Sequence, residues 1–124
     1  MNGKLVDTNI IIYLSKRKLE LEQIASNEVS LSISVITYME VLGYKFENDL
    51  EKLTIKKLCD LFPVIGLNQE IVDKVISIRQ THKIKLPDAI ILTTAIVTDQ
   101  ELITANVSDF MNIEPQLKIF NPMV

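Results

Sequence analysis

The stretch Lys4-Leu5-Val6-Asp7-Thr8-Asn9-Ile10-Ile11-Ile12-Tyr13-Leu14 decides the fold. A short apolar run closes at Val6, a lone carboxylate follows, and an apolar run resumes at Ile10. The first run reads as a strand with Asp7 at its C-terminal end. Thr8 is placed to cap a helix that starts near Asn9 and carries Ile10 to Leu14.

Outward from there the same alternation repeats. The charged stretch Lys16 to Glu22 predicts a turn and the start of a second helix. Val29 to Ile33 alternates Val, Ser, Leu, Ser, Ile, the pattern of a half-buried strand, and Ser34 can cap a helix running to about Lys45. Leu50, Leu53, Leu58, Leu61 and Phe62 recur at helical spacing until Pro63. Val64 to Leu67 is a strand, and Asn68 caps a helix with Ile71, Val72, Val75 and Ile76 on one face. Pro87 opens an apolar helix through Val97. Glu101 to Thr104 and Lys118 to Phe120 close the series as strands. Strands alternating with helices imply βαβ units: an α/β fold of three layers, α/β/α, around a mostly parallel sheet of about five strands. Those strands are expected to begin near residues 4, 29, 64, 101 and 118. No linker interrupts the pattern, so residues 1–124 form a single domain.

Composition narrows the function classes. The chain is 48% hydrophobic and 23% charged, which supports one sizeable core and argues against disorder. Its apolar runs are too short to span a bilayer, and Cys59 has no second cysteine to pair with. A cytoplasmic protein with no membrane association is expected. One His and one Cys exclude a zinc site built on such ligands. The net charge of −3, from 13 basic and 16 acidic residues, gives no overall basic footprint for nucleic acid.

Four acids stand out from the polar stretches that hold the others. Asp7 follows the first strand, Glu40 interrupts a nearly apolar helix, Asp88 heads the most apolar helix, and Asp109 follows the strand ending at Thr104. Each has a plain structural reading, such as a cap or a helix-dipole contact worth roughly 0.3–1 kcal/mol. Together they fall at the C-terminal edge of a parallel sheet, where functional groups gather. Four converging carboxylates repel one another unless a cation compensates, and oxygen ligands suit a hard divalent ion.

Leu5-Val6-Asp7-Thr8-Asn9, Ser34 to Val41, Leu86-Pro87-Asp88-Ala89-Ile90-Ile91 and Thr104 to Phe110 resemble the four motifs of PIN domains, in the family's order and over essentially the whole chain. Within that family the chain most resembles the VapC toxins of toxin–antitoxin pairs. The resemblance implies a PIN fold and a Mg²⁺-dependent (or Mn²⁺-dependent) endoribonuclease that leaves a 5′-phosphate and a 3′-hydroxyl. It makes Asp7, Glu40 and Asp88 the core metal-binding and catalytic acids. Asp109 is the preferred fourth carboxylate, with Asn106 the alternative. Thr8, Asn9, Thr104 and Asn106 are expected behind them, orienting carboxylates rather than touching metal. The resemblance also implies a VapB-like antitoxin, bound by helices of the first half, and a homodimer.

Lys83 and Lys85, just before Asp88, are candidates for contact with RNA phosphates. Arg79 reads as helix surface, His82 as a helix-end residue without a chemical role, and Tyr38 and Tyr44 as packing residues. A haloacid-dehalogenase-type phosphotransferase would need an acid where Asn9 stands. A receiver domain would need an acidic pair near the first strand. The remaining alternative is a catalytically inactive PIN-fold module that binds protein or RNA. The retention of Asp7, Glu40, Asp88 and Asp109 argues against it.

Overall fold

The computed structural model describes residues 3–26 and 29–124. The first strand, β1 (Lys4–Val6), passes into α1 (Thr8–Ser15). After it come β2 (Leu31–Ser34), α2 (Val35–Leu42), α3 (Asp49–Cys59), β3 (Val64–Ile65) and α4 (Gln69–Thr81). The chain continues through α5 (Leu86–Val97), β4 (Glu101–Ile103), α6 (Val107–Met111) and β5 (Ile119–Phe120). The strands form one sheet in the order β3-β2-β1-β4-β5, and every pairing is parallel. β1 lies at its centre, with Leu5 opposite Ser32 on one side and Leu102 on the other. All five C-terminal strand ends therefore meet at one edge.

Successive residues of a strand point to opposite faces, and both faces here are apolar. Leu5 and Leu102 pack with Ile78, Ile91, Leu92, Ala95 and Phe110. Val6 and Ile103 pack on the other side with Ile10, Ile11, Ile33, Ile55, Cys59 and Phe62. These two clusters are the two interlayer cores of an α/β/α sandwich. α5 buries every residue from Ala89 to Ala95, because it packs against α4, α2 and the strands β2 and β4 together. Among the described residues, no helix is long and apolar enough to cross a membrane.

Several local expectations shift. β2 starts at Leu31 rather than near 29, since Val29 makes only an isolated bridge with Ser26. The second helix expected in the charged stretch is a single 3₁₀ turn, Leu21–Gln23, after a bend at Arg17 (φ 58°). The cap of α1 is Asp7, not Thr8. α2 stops at Leu42, where Gly43 closes it, short of Lys45. In α3 the buried residues are Ile55 and Cys59, followed by Phe62, whereas Leu50, Leu53 and Leu61 are exposed. Apolar residues on this helix form two stripes, and only one can face the sheet.

Phe110, fully buried, is the side chain that anchors α6 and with it Asp109. Phe110→Ala is expected to cost about 3–5 kcal/mol in a urea melt, as large-to-small core truncations do.

Candidate active site

Asp7 is 5% exposed, and both of its carboxylate oxygens are held. Its Oδ1 accepts the Thr8 backbone N–H at 2.7 Å, the contact that caps α1. Its Oδ2 accepts the Thr104 hydroxyl at 2.7 Å, and the Asn106 N–H donates in turn to Thr104 Oγ1 at 2.9 Å. Asn9 ties the same two segments together, its Oδ1 accepting the Ala105 N–H at 3.3 Å. Burial lifts the Asp7 carboxyl from the ordinary 3.8 to about 6. The Thr104 and Thr8 hydrogen bonds pull against that rise, and the nearby charges of Asp88 and Glu40 add to it.

Glu40 is exposed on α2, and its position is fixed from α1. The Thr8 hydroxyl donates to Glu40 Oε1 at 2.7 Å and lies 2.9 Å from the Thr37 hydroxyl. A hydroxyl carries one proton. Thr8 spends its proton on Glu40, so Thr37 must donate to Thr8. Thr8 thus orients two carboxylates, Asp7 through its N–H and Glu40 through its O–H. The fully buried Thr37 was not singled out from the sequence, although it stands three residues before Glu40 and so shares its helix face.

Asp88 lies half-buried in the first turn of α5, and Asp109 is exposed in the first turn of α6. Burial raises the Asp88 carboxyl above its ordinary value, Lys85 lowers it and Asp109 raises it. Charge coupling therefore runs from Glu40 through Asp7 and Asp88 to Asp109, four acids from four segments at one sheet edge. Asn106 contributes its backbone N–H behind Asp7 and lines a cleft with Asp88, Asp109, Lys83 and Lys85. His82 pairs with the adjacent Thr81 hydroxyl, and Cys59 is buried in the core. Tyr38 accepts a hydrogen bond from Lys56, whereas Tyr44, expected to pack, is 64% exposed with its edge toward Phe46.

Among the described residues, no three His, Cys, Asp or Glu side chains stand close enough to enclose a metal ion. The donor chemistry nevertheless fits Mg²⁺ or Mn²⁺. The donors are all oxygen, they repel one another, and Mg²⁺ commonly takes one or two carboxylates while keeping waters and substrate phosphate oxygens.

The sequence profile of the PIN domain family matches residues 4–113. In structure the chain is similar to a toxin–antitoxin complex from Klebsiella pneumoniae, at 34% identity and a TM-score of 0.74, covering 97% of this chain and 98% of that one. It is also similar to VapBC-1 from nontypeable Haemophilus influenzae, at 27% identity and a TM-score of 0.77, with 98% of each chain covered. DNA-bound VapBC from Salmonella typhimurium shares the fold at a TM-score of 0.84 and 21% identity, covering 98% of this chain and 99% of that one. No curated protein sequence matches the chain.

The Asp7 shift has a direct consequence for stability. Its folded pKa lies above the unfolded value, so folding favours the protonated form. Metal-free protein should lose stability from this group as pH rises from about 4 to about 6. The full loss is on the order of 3 kcal/mol. Asp7→Asn removes the charge and is expected to raise the melting temperature of chelator-treated protein at pH 7, while the difference vanishes near pH 4. Thermal melts across that range check this, and an Asp7→Asn protein that melts lower at pH 7 contradicts it.

Proposed function

The chain belongs to the PIN domain family, and from that membership we propose that it is a metal-dependent endoribonuclease acting as the toxin of a toxin–antitoxin pair in the cytoplasm. The observation that carries the reading is the placement of Asp7, Glu40, Asp88 and Asp109 at one sheet edge, with Asp7 buried and both of its oxygens held by hydrogen bonds. A buried carboxylate such as Asp7 is costly to the fold when ionised, and a divalent cation with a phosphodiester substrate relieves that cost. Similarity to the Klebsiella pneumoniae toxin–antitoxin complex supports the toxin assignment.

In this reading Asp7 and Asp88 hold the ion, with Glu40 and Asp109 completing the site. Bound Mg²⁺ or Mn²⁺ supplies positive charge at the phosphate and lowers the pKa of a coordinated water. Thr8 and Thr104 fix Asp7 before any substrate arrives, so its oxygens need no reorganisation. Glu40 Oε1 is committed to Thr8, which leaves Oε2 as the atom to take the proton of the attacking water. Thr37, through Thr8, keeps that carboxylate turned toward the site.

The antitoxin belongs in the groove between α1, α2 and α3. Ile12, Tyr44 and Leu50 expose apolar surface there, and the groove, about 600 Å³, has Glu40 in its lining. A bound segment would lie beside the carboxylates and exclude RNA. A homodimer completes the proposal.

Purified, antitoxin-free protein is expected to cut RNA at discrete positions with Mg²⁺ or Mn²⁺ and to leave it intact with chelator. Asp7→Asn and Asp88→Asn should abolish cleavage, and Glu40→Gln should slow it by about 10²–10⁴-fold. Intact RNA together with no Mn²⁺ binding by calorimetry would refute the nuclease and favour a binding module. For the groove, Leu50→Glu is expected to weaken antitoxin binding by at least roughly 30-fold, the weight of an interface hot spot, without changing RNA cleavage. Unchanged affinity would place the antitoxin elsewhere.

A further inference from the structure

The segment between Asp73 and Asp88 contains no acid, yet it carries Lys74, Arg79, His82, Lys83 and Lys85 in a chain of net charge −3. Four of these, Arg79, His82, Lys83 and Lys85, line a cleft of about 840 Å³. Asp88 and Asp109 lie in the same cleft, with the amides of Asn106 and Asn112. All four basic side chains are exposed. None is in a salt bridge, since the one ion pair among the described residues joins Lys56 to Asp60. Arg79 Nε donates to the Ile84 carbonyl at 3.3 Å, which ties the α4–α5 loop to α4 and leaves the guanidinium's remaining N–H groups uncommitted.

The opposite flank of the carboxylates is different in kind. The groove beyond Glu40 is lined by Glu47 and Glu51 with Ile12, Tyr44 and Leu50, and Lys16 is the one cation among its lining residues. A polyanion is repelled there and attracted along the α4–α5 loop.

We propose that the cleft between the α4–α5 loop and α6 is a one-sided track for the phosphate backbone of single-stranded RNA, gripping the substrate on one flank of the scissile bond and leaving the other flank unheld. Lys83, Lys85 and Arg79 meet successive phosphates. Asn106 and Asn112 on the facing wall offer amide groups to sugars or base edges. Because exposed cations provide the grip, it selects a charged strand and not a sequence. The inference rests on the nuclease reading for its substrate, but its own readout is binding.

The test uses fluorescein-labelled single-stranded RNA oligonucleotides, fluorescence anisotropy with chelator over a salt series, and cleavage kinetics with Mg²⁺. The Lys83→Gln/Lys85→Gln variant is expected to bind roughly tenfold more weakly at low salt. The slope of log affinity against log salt should fall by about 1.4, at roughly 0.7 per single-strand phosphate contact. KM should rise with kcat retained. Lys118→Glu, at the opposite sheet edge, should leave both unchanged. Oligonucleotides shortened on one side of the cut should lose affinity, and those shortened on the other should not. Wild-type affinity and slope in the double variant would overturn the track, as would a fall in kcat with KM unchanged, or equal dependence on both flanks. Salt-dependent binding that the variant weakens, with no cleavage by any form and no Mn²⁺ binding by calorimetry, would uphold the track and sink the nuclease.

Discussion

A carboxylate that is almost fully buried, with hydrogen bonds to both of its oxygens, sits where the central strand of the sheet turns into its first helix, and the other site elements are arranged around it. Asp7 caps α1 through Oδ1 and receives Thr104 from the end of β4 through Oδ2. One side chain therefore fixes the helix start and the spacing of two neighbouring strand ends. Its burial opposes ionisation at neutral pH, and the hydrogen bonds from Thr104 and Thr8 reduce that opposition without cancelling it. A fold that keeps such a group trades stability for a site, and the remaining cost is one that a bound cation can relieve.

Thr8 extends the arrangement to the next helix. Its backbone serves Asp7 and its hydroxyl serves Glu40, so the relative position of two acids 33 residues apart in sequence depends on one residue between them in space. Thr37 supplies the proton that lets Thr8 donate outward. Asp88 and Asp109 are supported differently. Their helices are anchored by buried apolar residues, Ala89 to Ala95 in α5 and Phe110 in α6. Packing sets their place, and hydrogen bonding sets that of Asp7 and Glu40. The second pair accordingly has more room to adapt to an ion and a substrate.

The parallel sheet and the acids at its edge could be read from the chain because the signals were local. An apolar run ending in Asp7, caps at Ser34 and Asn68, and a proline opening α5 each announce themselves within a few residues. Thr37 escaped because a threonine inside an apolar helix has a bland reading, and its role appears only when α1 lies alongside. The exposed stripe of α3 was hidden for a related reason. Leu50, Leu53 and Leu61 fit a helical period as well as Ile55, Cys59 and Phe62 do, and periodicity does not say which stripe meets the sheet. Val29 continues the alternation, but the pairing of β2 with β1 runs from Leu31 opposite Lys4, and Val29 bridges Ser26 instead.

The overall charge of the chain suggested little about nucleic acid, and its distribution explains why. A net −3 averages two flanks of opposite character that meet at the same carboxylates. On one, the acid-free segment from Lys74 to Lys85 presents unpaired cations. On the other, Glu47 and Glu51 accompany exposed apolar residues. Electrostatic attraction falls off within about 8 Å at physiological ionic strength, so a strand approaching the site senses the flank it touches rather than the sum. The separation also lets one site serve two kinds of partner. A polyanion is drawn to the carboxylates along the basic loop, whereas a protein segment with apolar anchors reaches them through the groove at Glu40.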